Sequence, residues 1–315
     1  MDKHKASKLK RQKARPIRLT ERDREILLAL HRYRFLTTDH LMTLTGTISR
    51  WGMNARLRLL YDHKYVDRPK AQYAIFAYAD KRPIVYALGN QGASLLSTRY
   101  GLKMPAKVYW TEKNRRVRER HIEHTLGISD FMIGVEMMCR ERDHLEFIDP
   151  QTIINNSPAQ TQRTKYPFRW KTTIEHNGER QKISLVPDYV FGLRELSSGQ
   201  EKYYFVEIDN GTMPVKRRDN RQTSYLRKVL SYADTFENKI AQNRFEISGF
   251  QVLTVTTSSK RIESIQAAID GLTKKTFLPN TFLFKTKTGK QAKLPLCDDW
   301  RNWKETYVKR DLDHV

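Results

Sequence analysis

Cysteine is nearly absent from this chain. Cys139 and Cys297 are the two in 315 residues, too few and too far apart for a disulfide framework or a zinc cluster. Long apolar runs are missing too, as is an apolar segment of the signal-peptide kind near the first residues. The expectation is therefore a cytoplasmic protein with no membrane partner. Acidic residues are the third scarcity: 35 Asp and Glu stand against 58 Lys and Arg, a formal net charge of +23. A nucleic acid is the natural polyanion to offset it. The imbalance is uneven, because residues 1–120 hold 28 Lys and Arg against 10 Asp and Glu, or +18, and leave +5 for the rest. The front of the molecule is thus the part expected to grip DNA.

What is present suffices for two domains with cores, since 39% of the residues are hydrophobic and the length is ample. Residues 1–18 carry Lys3, Lys5, Lys8, Lys10, Arg11, Lys13, Arg15 and Arg18 with few apolar side chains. Nothing there offsets the entropy of ordering, so a disordered basic arm is expected. Thr20 with Asp23 reads as a capping box, and Ile26, Leu27 and Leu30 follow helical spacing, predicting a helix from about Glu21 to His31. A second helix is expected after Thr37 or Thr38, ending at Gly46. A third runs from about Ser49 to His63, with Trp51, Leu57, Leu59 and Leu60 offered to the core.

Two helices joined by a glycine-containing turn, the second rich in Arg and Asn, form a helix-turn-helix pattern. Tyr73–Tyr78 and Pro83–Tyr86 around Asp80-Lys81-Arg82 predict a hairpin, which makes a winged helix, followed by a helix over Asn90–Leu96. Arg50, Asn54, Arg56, Arg58, Lys81 and Arg82, with the later Arg115, Arg116 and Arg118, are the candidate contacts to double-stranded DNA. Modules of this shape also mediate dimerisation. The winged domain is placed at 19–101, a basic linker at 102–120 and a second domain at 121–315.

In the second domain His121 to about Arg140 reads as an amphipathic helix with Ile128, Phe131, Met132 and Val135 in one arc and His121 and His124 on the same side. Strands are expected over Leu145–Ile148, Ser184–Phe191, Lys202–Asp209 and Phe250–Val255. Helices are expected over Arg221–Phe236 and Ser258–Leu272, and a strand-turn over Phe282–Lys293. Residues 151–180 read as a long irregular loop. The order α-β-β-β-α-β describes an α+β fold around a central mixed sheet.

The chemistry gathers on two of those strands. Asp188 follows Pro187, and Glu207 and Asp209 alternate on the next strand, so all three acids are expected to meet on one face. Crowded carboxylates repel unless a hard cation neutralises them, which points to Mg²⁺ or Mn²⁺ and to phosphodiester chemistry. Lys228, with Tyr225 and Tyr232 three before and four after it, is the candidate cation at the phosphate. His124 is a candidate for orienting a ligand, or simply a histidine at the core edge; Tyr225 and Tyr232 read as packing residues.

Pro187-Asp188 followed by Glu207-x-Asp209 on consecutive strands resembles the restriction-endonuclease-like PD-(D/E)xK fold, except that Asp209 stands where that pattern has lysine. More narrowly, the chain is similar to the replication-relaxation family, which overlaps the MOB-C plasmid relaxases. The similarity is carried by Leu19-Thr-Glu-Arg-Asp-Arg-Glu-Ile26, Tyr33-Arg-Phe-Leu-Thr-Thr38, His124-Thr-Leu-Gly-Ile-Ser-Asp130, Pro187-Asp188, Val206-Glu-Ile-Asp-Asn-Gly-Thr212 and Lys228 with Tyr232. The resemblance implies a relaxase that nicks one strand at an origin of transfer or replication with a divalent metal, alongside accessory relaxosome proteins and a coupling protein. Two other readings compete with it: a non-catalytic DNA-binding initiator or accessory protein, and a site-specific double-strand endonuclease.

Overall fold

The computed structural model describes residues 10–13, 15–72, 83–102, 104, 109–176, 178–218, 222–272, 279–287, 296, 300–302 and 307–308. The chain divides into two compact units, Met1–Ile133 and Gly134–Val315.

The first unit opens with α1 (Glu21–Tyr33), whose capping box joins the Thr20 hydroxyl and amide to Asp23. β1 (Leu36–Thr37), α2 (Thr38–Thr45) and α3 (Arg50–Asp62) follow. Gly46 ends α2 at φ +63°, a left-handed conformation that costs glycine little because it has no Cβ. β2 (Val66–Asp67) and β3 (Val85–Leu88) complete a small sheet in the order β1-β3-β2. This is the winged helix-turn-helix arrangement, packed on Ile26, Leu27, Leu30, Leu41, Leu57 and Leu60. The first strand of the expected hairpin, with Lys81 and Arg82, lies outside the described residues.

Beyond α4 (Asn90–Tyr100), part of the expected linker forms α5 (Trp110–Arg115). Trp110 is buried there, and the fully buried Asn114 amide donates to the Leu88 carbonyl. α6 (Glu119–Arg140) follows, and the division between the units falls within it. Its burial departs from the expected arc: Phe131, Met132 and Val135 are buried, Ile128 is partly buried and His121 is exposed. The basic arm also departs from expectation where it is described. Arg11 pairs with Asp67 at 3.1 Å and stacks 4.1 Å over the Tyr61 ring, an acid and a π-face that together offset the cost of ordering it.

The second unit is α+β. After β4 (Leu145–Ile148), the stretch expected to be irregular instead forms α7 (Pro150–Asn155), capped by Asp149, and α8 (Ala159–Gln162). It ends in a separate hairpin of β5 (Trp170–His176) with β6 (Glu179–Leu185). The main sheet follows, with β7 (Tyr189–Glu195), β8 (Glu201–Ile208), α9 (Tyr225–Glu237), α10 (Ile240–Phe245), β9 (Gln251–Thr256), α11 (Ser259–Asp270) and β10 (Phe282–Thr286). Five strands lie in the order β10-β9-β8-β7-β4, and β11 (Trp300–Asn302) and β12 (Tyr307–Val308) extend it beyond β10. β4, β7 and β8 run antiparallel and β8, β9 and β10 parallel. The sheet is mixed, and β8 sits at the change of direction.

One expected strand, Ser184–Phe191, is in fact two. β6 stops at Leu185, Pro187 intervenes, and β7 begins at Tyr189 in a different sheet. Proline has no amide to give a ladder, so a strand boundary falls there and Asp188 stands at the corner. The core under α9 and α11 includes Phe205, Val252, Phe282, Phe284, Val229, Ile262 and Ile265. This apolar layer carries the acids at its edge.

Candidate functional site

Asp188 is set at its corner by two backbone links to β8: its amide donates to the Val206 carbonyl at 3.1 Å, and its Oδ2 accepts from the Ile208 amide at 2.9 Å. The side chain is half-buried beside Glu207. Glu207 is 2% exposed on the face of β8 that meets α9. Lys228 Nζ donates to Glu207 Oε2, and the Tyr232 hydroxyl donates to Oε1 at 2.6 Å. The i, i+4 spacing on α9 places both donors over one carboxylate. Ser224 starts that helix, its side chain accepting from the Arg227 amide.

The electrostatics match a tightly confined charge. Burial, and then the negative charge of Asp188, push the Glu207 carboxyl up to about 7 even against Lys228 and Tyr232. Burial works against the Lys228 ammonium, but Glu207, Asp188 and Asp209 outweigh it and raise its pKa, so the lysine remains a cation. Tyr232 and Tyr225 are fully buried, and burial drives both phenols well above their ordinary value. The Tyr225 hydroxyl meets Thr254. Both rings pack within the core, where burial disfavours the phenolate of each.

Asp209 does not join the other two acids. Its Oδ2 accepts from Arg261 Nε at 2.7 Å and from the Thr256 hydroxyl at 2.8 Å, and Oδ1 accepts from the Gly211 amide at 3.2 Å and from Arg261 Nη2 at 3.3 Å. Gly211, at φ +72°, makes the tight turn that aims its amide there. Arg261 also holds the Met213 carbonyl. The expected meeting of three carboxylates is therefore corrected: a bidentate guanidinium neutralises Asp209, leaving Asp188 and Glu207 with Lys228. Among the described residues no group of three or more His, Cys, Asp or Glu stands close enough to hold a metal. The helix that carries Arg261 has no chemical pattern in its sequence. Only the pairing of β8 with β9 brings the helix after β9 to the end of β8.

Beside Lys228 an open cleft of about 360 Å³ lies between β6 and the start of α9. Lys182, Arg227 and Lys228 supply cations to its wall, and Ser184, Thr223 and Ser224 supply hydroxyls. That lining suits a phosphodiester backbone.

His124 lies in the first unit, and Asp188, Glu207 and Lys228 lie in the second. His121 packs edge-on against Phe35, and burial, then Arg34, His124 and Lys113, lower its pKa. Its ring touches Phe35 while the residue as a whole stays exposed. Of the expected DNA contacts, Arg115, Arg116 and Arg118 are exposed. Arg56 is instead bound to the buried Asp23 (Nε to Oδ1, 2.7 Å), and Arg58 to Asp62 at 2.8 Å and to the Lys10 carbonyl. Arg50 pairs with Asp39 on the surface, and the exposed Asn54 accepts from the Thr38 hydroxyl.

A family model described as replication-relaxation matches residues 27–249, most of both units. No curated protein and no solved structure matches the chain.

Proposed function

The chain belongs to the replication-relaxation family, and from that premise we propose that it is a metal-dependent DNA nickase, acting as a relaxase at a mobile element's origin of transfer or replication. Membership itself suggests a role in replication or mobilisation. The observation that carries the finer reading is Lys228 on Glu207 beside Asp188. A lysine delivered by α9 makes good the one absent just after β8, where Asp209 stands instead.

The donor set fits a hard divalent cation such as Mg²⁺ or Mn²⁺: Asp188 and Glu207 offer carboxylate oxygens, and burial, then the charge of Asp188, raises the Glu207 proton affinity. Bound there, the ion would polarise the scissile phosphate and its attacking water. The remaining work falls to the chain. Lys182 and Arg227 hold the backbone in the cleft, and Lys228 offsets charge developing on the phosphate. Its raised pKa suits it to donate and disqualifies it as a base. Tyr232 fixes the carboxylate plane of Glu207. With both neighbouring tyrosines buried, water is the nucleophile: its oxygen bonds to phosphorus, one ester P–O bond breaks, and the water's proton reaches the departing alkoxide.

One observation favours a second reading, a DNA-binding initiator or accessory protein without hydrolysis. Both Glu207 oxygens already have donors, and Asp209 is locked to Arg261, which is how structural acids are held. Supercoiled origin-bearing plasmid separates the readings. Open circles made by the wild type with Mg²⁺ or Mn²⁺, and not by Asp188→Ala, support the nickase. Unchanged topology with intact gel-shift binding supports the second reading, and linear product indicates a double-strand endonuclease.

A further inference from the structure

We infer that Ile48 and Trp51, at the start of α3, form an apolar knuckle that reads the major groove of duplex DNA by packing on thymine methyl groups. The inference rests on the duplex-binding part of the proposed function and names residues that the arginine pattern did not. Trp51 was expected in the core, yet it is 83% exposed, and Ile48 is 96% exposed. Large apolar side chains so fully in water call for a partner.

The second helix of a helix-turn-helix meets base edges with its N-terminal residues. Trp51 is the second residue of α3, and Ile48 lies just before its Ser49 cap. The remainder of that face is small or polar: Ser49, Asn54 and Ala55 are all exposed. Of the three arginines on α3, Arg50 pairs with Asp39 on the surface, and the other two are engaged in the fold. Arg56 is committed to Asp23 of α1 and to the Arg18 carbonyl, and Arg58 to Asp62 and the Lys10 carbonyl. Holding the fold, they leave base readout to the residues before and at the helix start.

Charge selects the partner. Residues 1–120 carry +18, which repels a second copy of the same face and attracts a polyanion. Area points the same way, since two side chains offer about 400 Å² at most, against about 800 Å² per partner for a stable protein interface. Thymine presents the one apolar group on the major-groove floor, its C5 methyl, and contact with apolar side chains is how that group is recognised. Tryptophan adds a rigid, broad surface at little entropic cost.

The test uses the full chain and a pool of random-core duplexes, from which bound sequences are enriched and the best is remade with uracil for thymine, removing only the methyl groups. The wild type is expected to enrich a thymine-containing motif and to bind the uracil version about tenfold more weakly. Trp51→Ala and the double variant with Ile48→Ala are expected to bind both versions equally, at the wild type's affinity for the uracil form. Unchanged circular dichroism and melting are expected, because neither side chain is in the core. An unaltered motif and affinity in the double variant would overturn the inference, as would a wild-type dimer that Trp51→Ala converts to monomer. If the wild type binds no duplex even at low salt, the duplex-binding reading itself fails. Binding that is retained but insensitive to uracil sinks only the knuckle.

Discussion

Glu207 and Asp209 are two positions apart, both buried, both near the end of β8, and they are neutralised in opposite ways. Glu207 faces an ammonium on α9 that is 27% exposed, next to a cationic cleft. Asp209 faces a guanidinium on α11 that is 14% exposed and grips it with two nitrogens. A guanidinium is a permanent, planar clamp, whereas a lysine is a flexible point charge that can trade partners. Under the proposed nicking function, the difference puts the reactive acid at the Glu207 end and a structural one at the Asp209 end.

The largest effect that would break this contrast concerns rate. Lys228→Met and Glu207→Gln are each expected to slow nicking by on the order of a hundredfold to a thousandfold, with the melting transition still cooperative; the rate at which supercoiled plasmid opens is the readout. Loss of a cooperative transition in both variants would mean that the ammonium end is structural as well.

The second effect concerns stability. Arg261→Met strands a buried carboxylate at Asp209, and a loss of about 3 kcal/mol is expected in urea unfolding. Nicking per folded molecule should be kept. A variant as stable as the wild type but inactive would reverse the assignment of the two ends.

A third effect depends on pH and sharpens the comparison. Glu207 ionises near 7 in the folded chain against 4.5 ordinarily. A folded value above the unfolded one means that this group's stabilising contribution is full below 4.5 and is lost as pH rises through about 7. Lys228, also raised, contributes below its unfolded value and loses its part only in alkali. Unfolding free energy measured across that acid-to-neutral window should therefore fall less with rising pH in Glu207→Gln than in the wild type. Nicking should rise with pH through about 7 as the carboxylate becomes charged. An identical stability profile in Glu207→Gln would deny that this acid is the perturbed one.

The smallest expected effect lies in the first unit. Removing any one of the exposed Arg115, Arg116 or Arg118 should weaken duplex binding uniformly across sequences and reduce the salt slope by about 1. Arg56→Ala should instead lower stability, since it abandons the buried Asp23. Gel-shift titrations over a range of salt, set beside melting curves, distinguish the two.

What the sequence made legible was whatever depends on near neighbours along the chain. The capping box at Thr20, the stop at Gly46, the strand at Leu145–Ile148 and the face shared by Lys228 and Tyr232 follow from local geometry and helical spacing. Long-range pairing was not legible. Strand alternation put Asp209 with Glu207, but the chain leaves β8 at Ile208, and Arg261, 52 residues on, takes Asp209. Pro187 marked a break that splits one expected strand into two sheets. Trp51, a residue type usually buried, faces water because α3 has filled its inner face with Met53, Leu57 and Leu60.

Manganese binding tests the contrast most directly. Titrated with Mn²⁺ and followed by the loss of the free-ion paramagnetic signal, the wild type and Arg261→Met are expected to bind the ion saturably, and Glu207→Gln and Asp188→Ala to lose that binding. Saturable binding that survives in Glu207→Gln and vanishes in Arg261→Met would contradict the account.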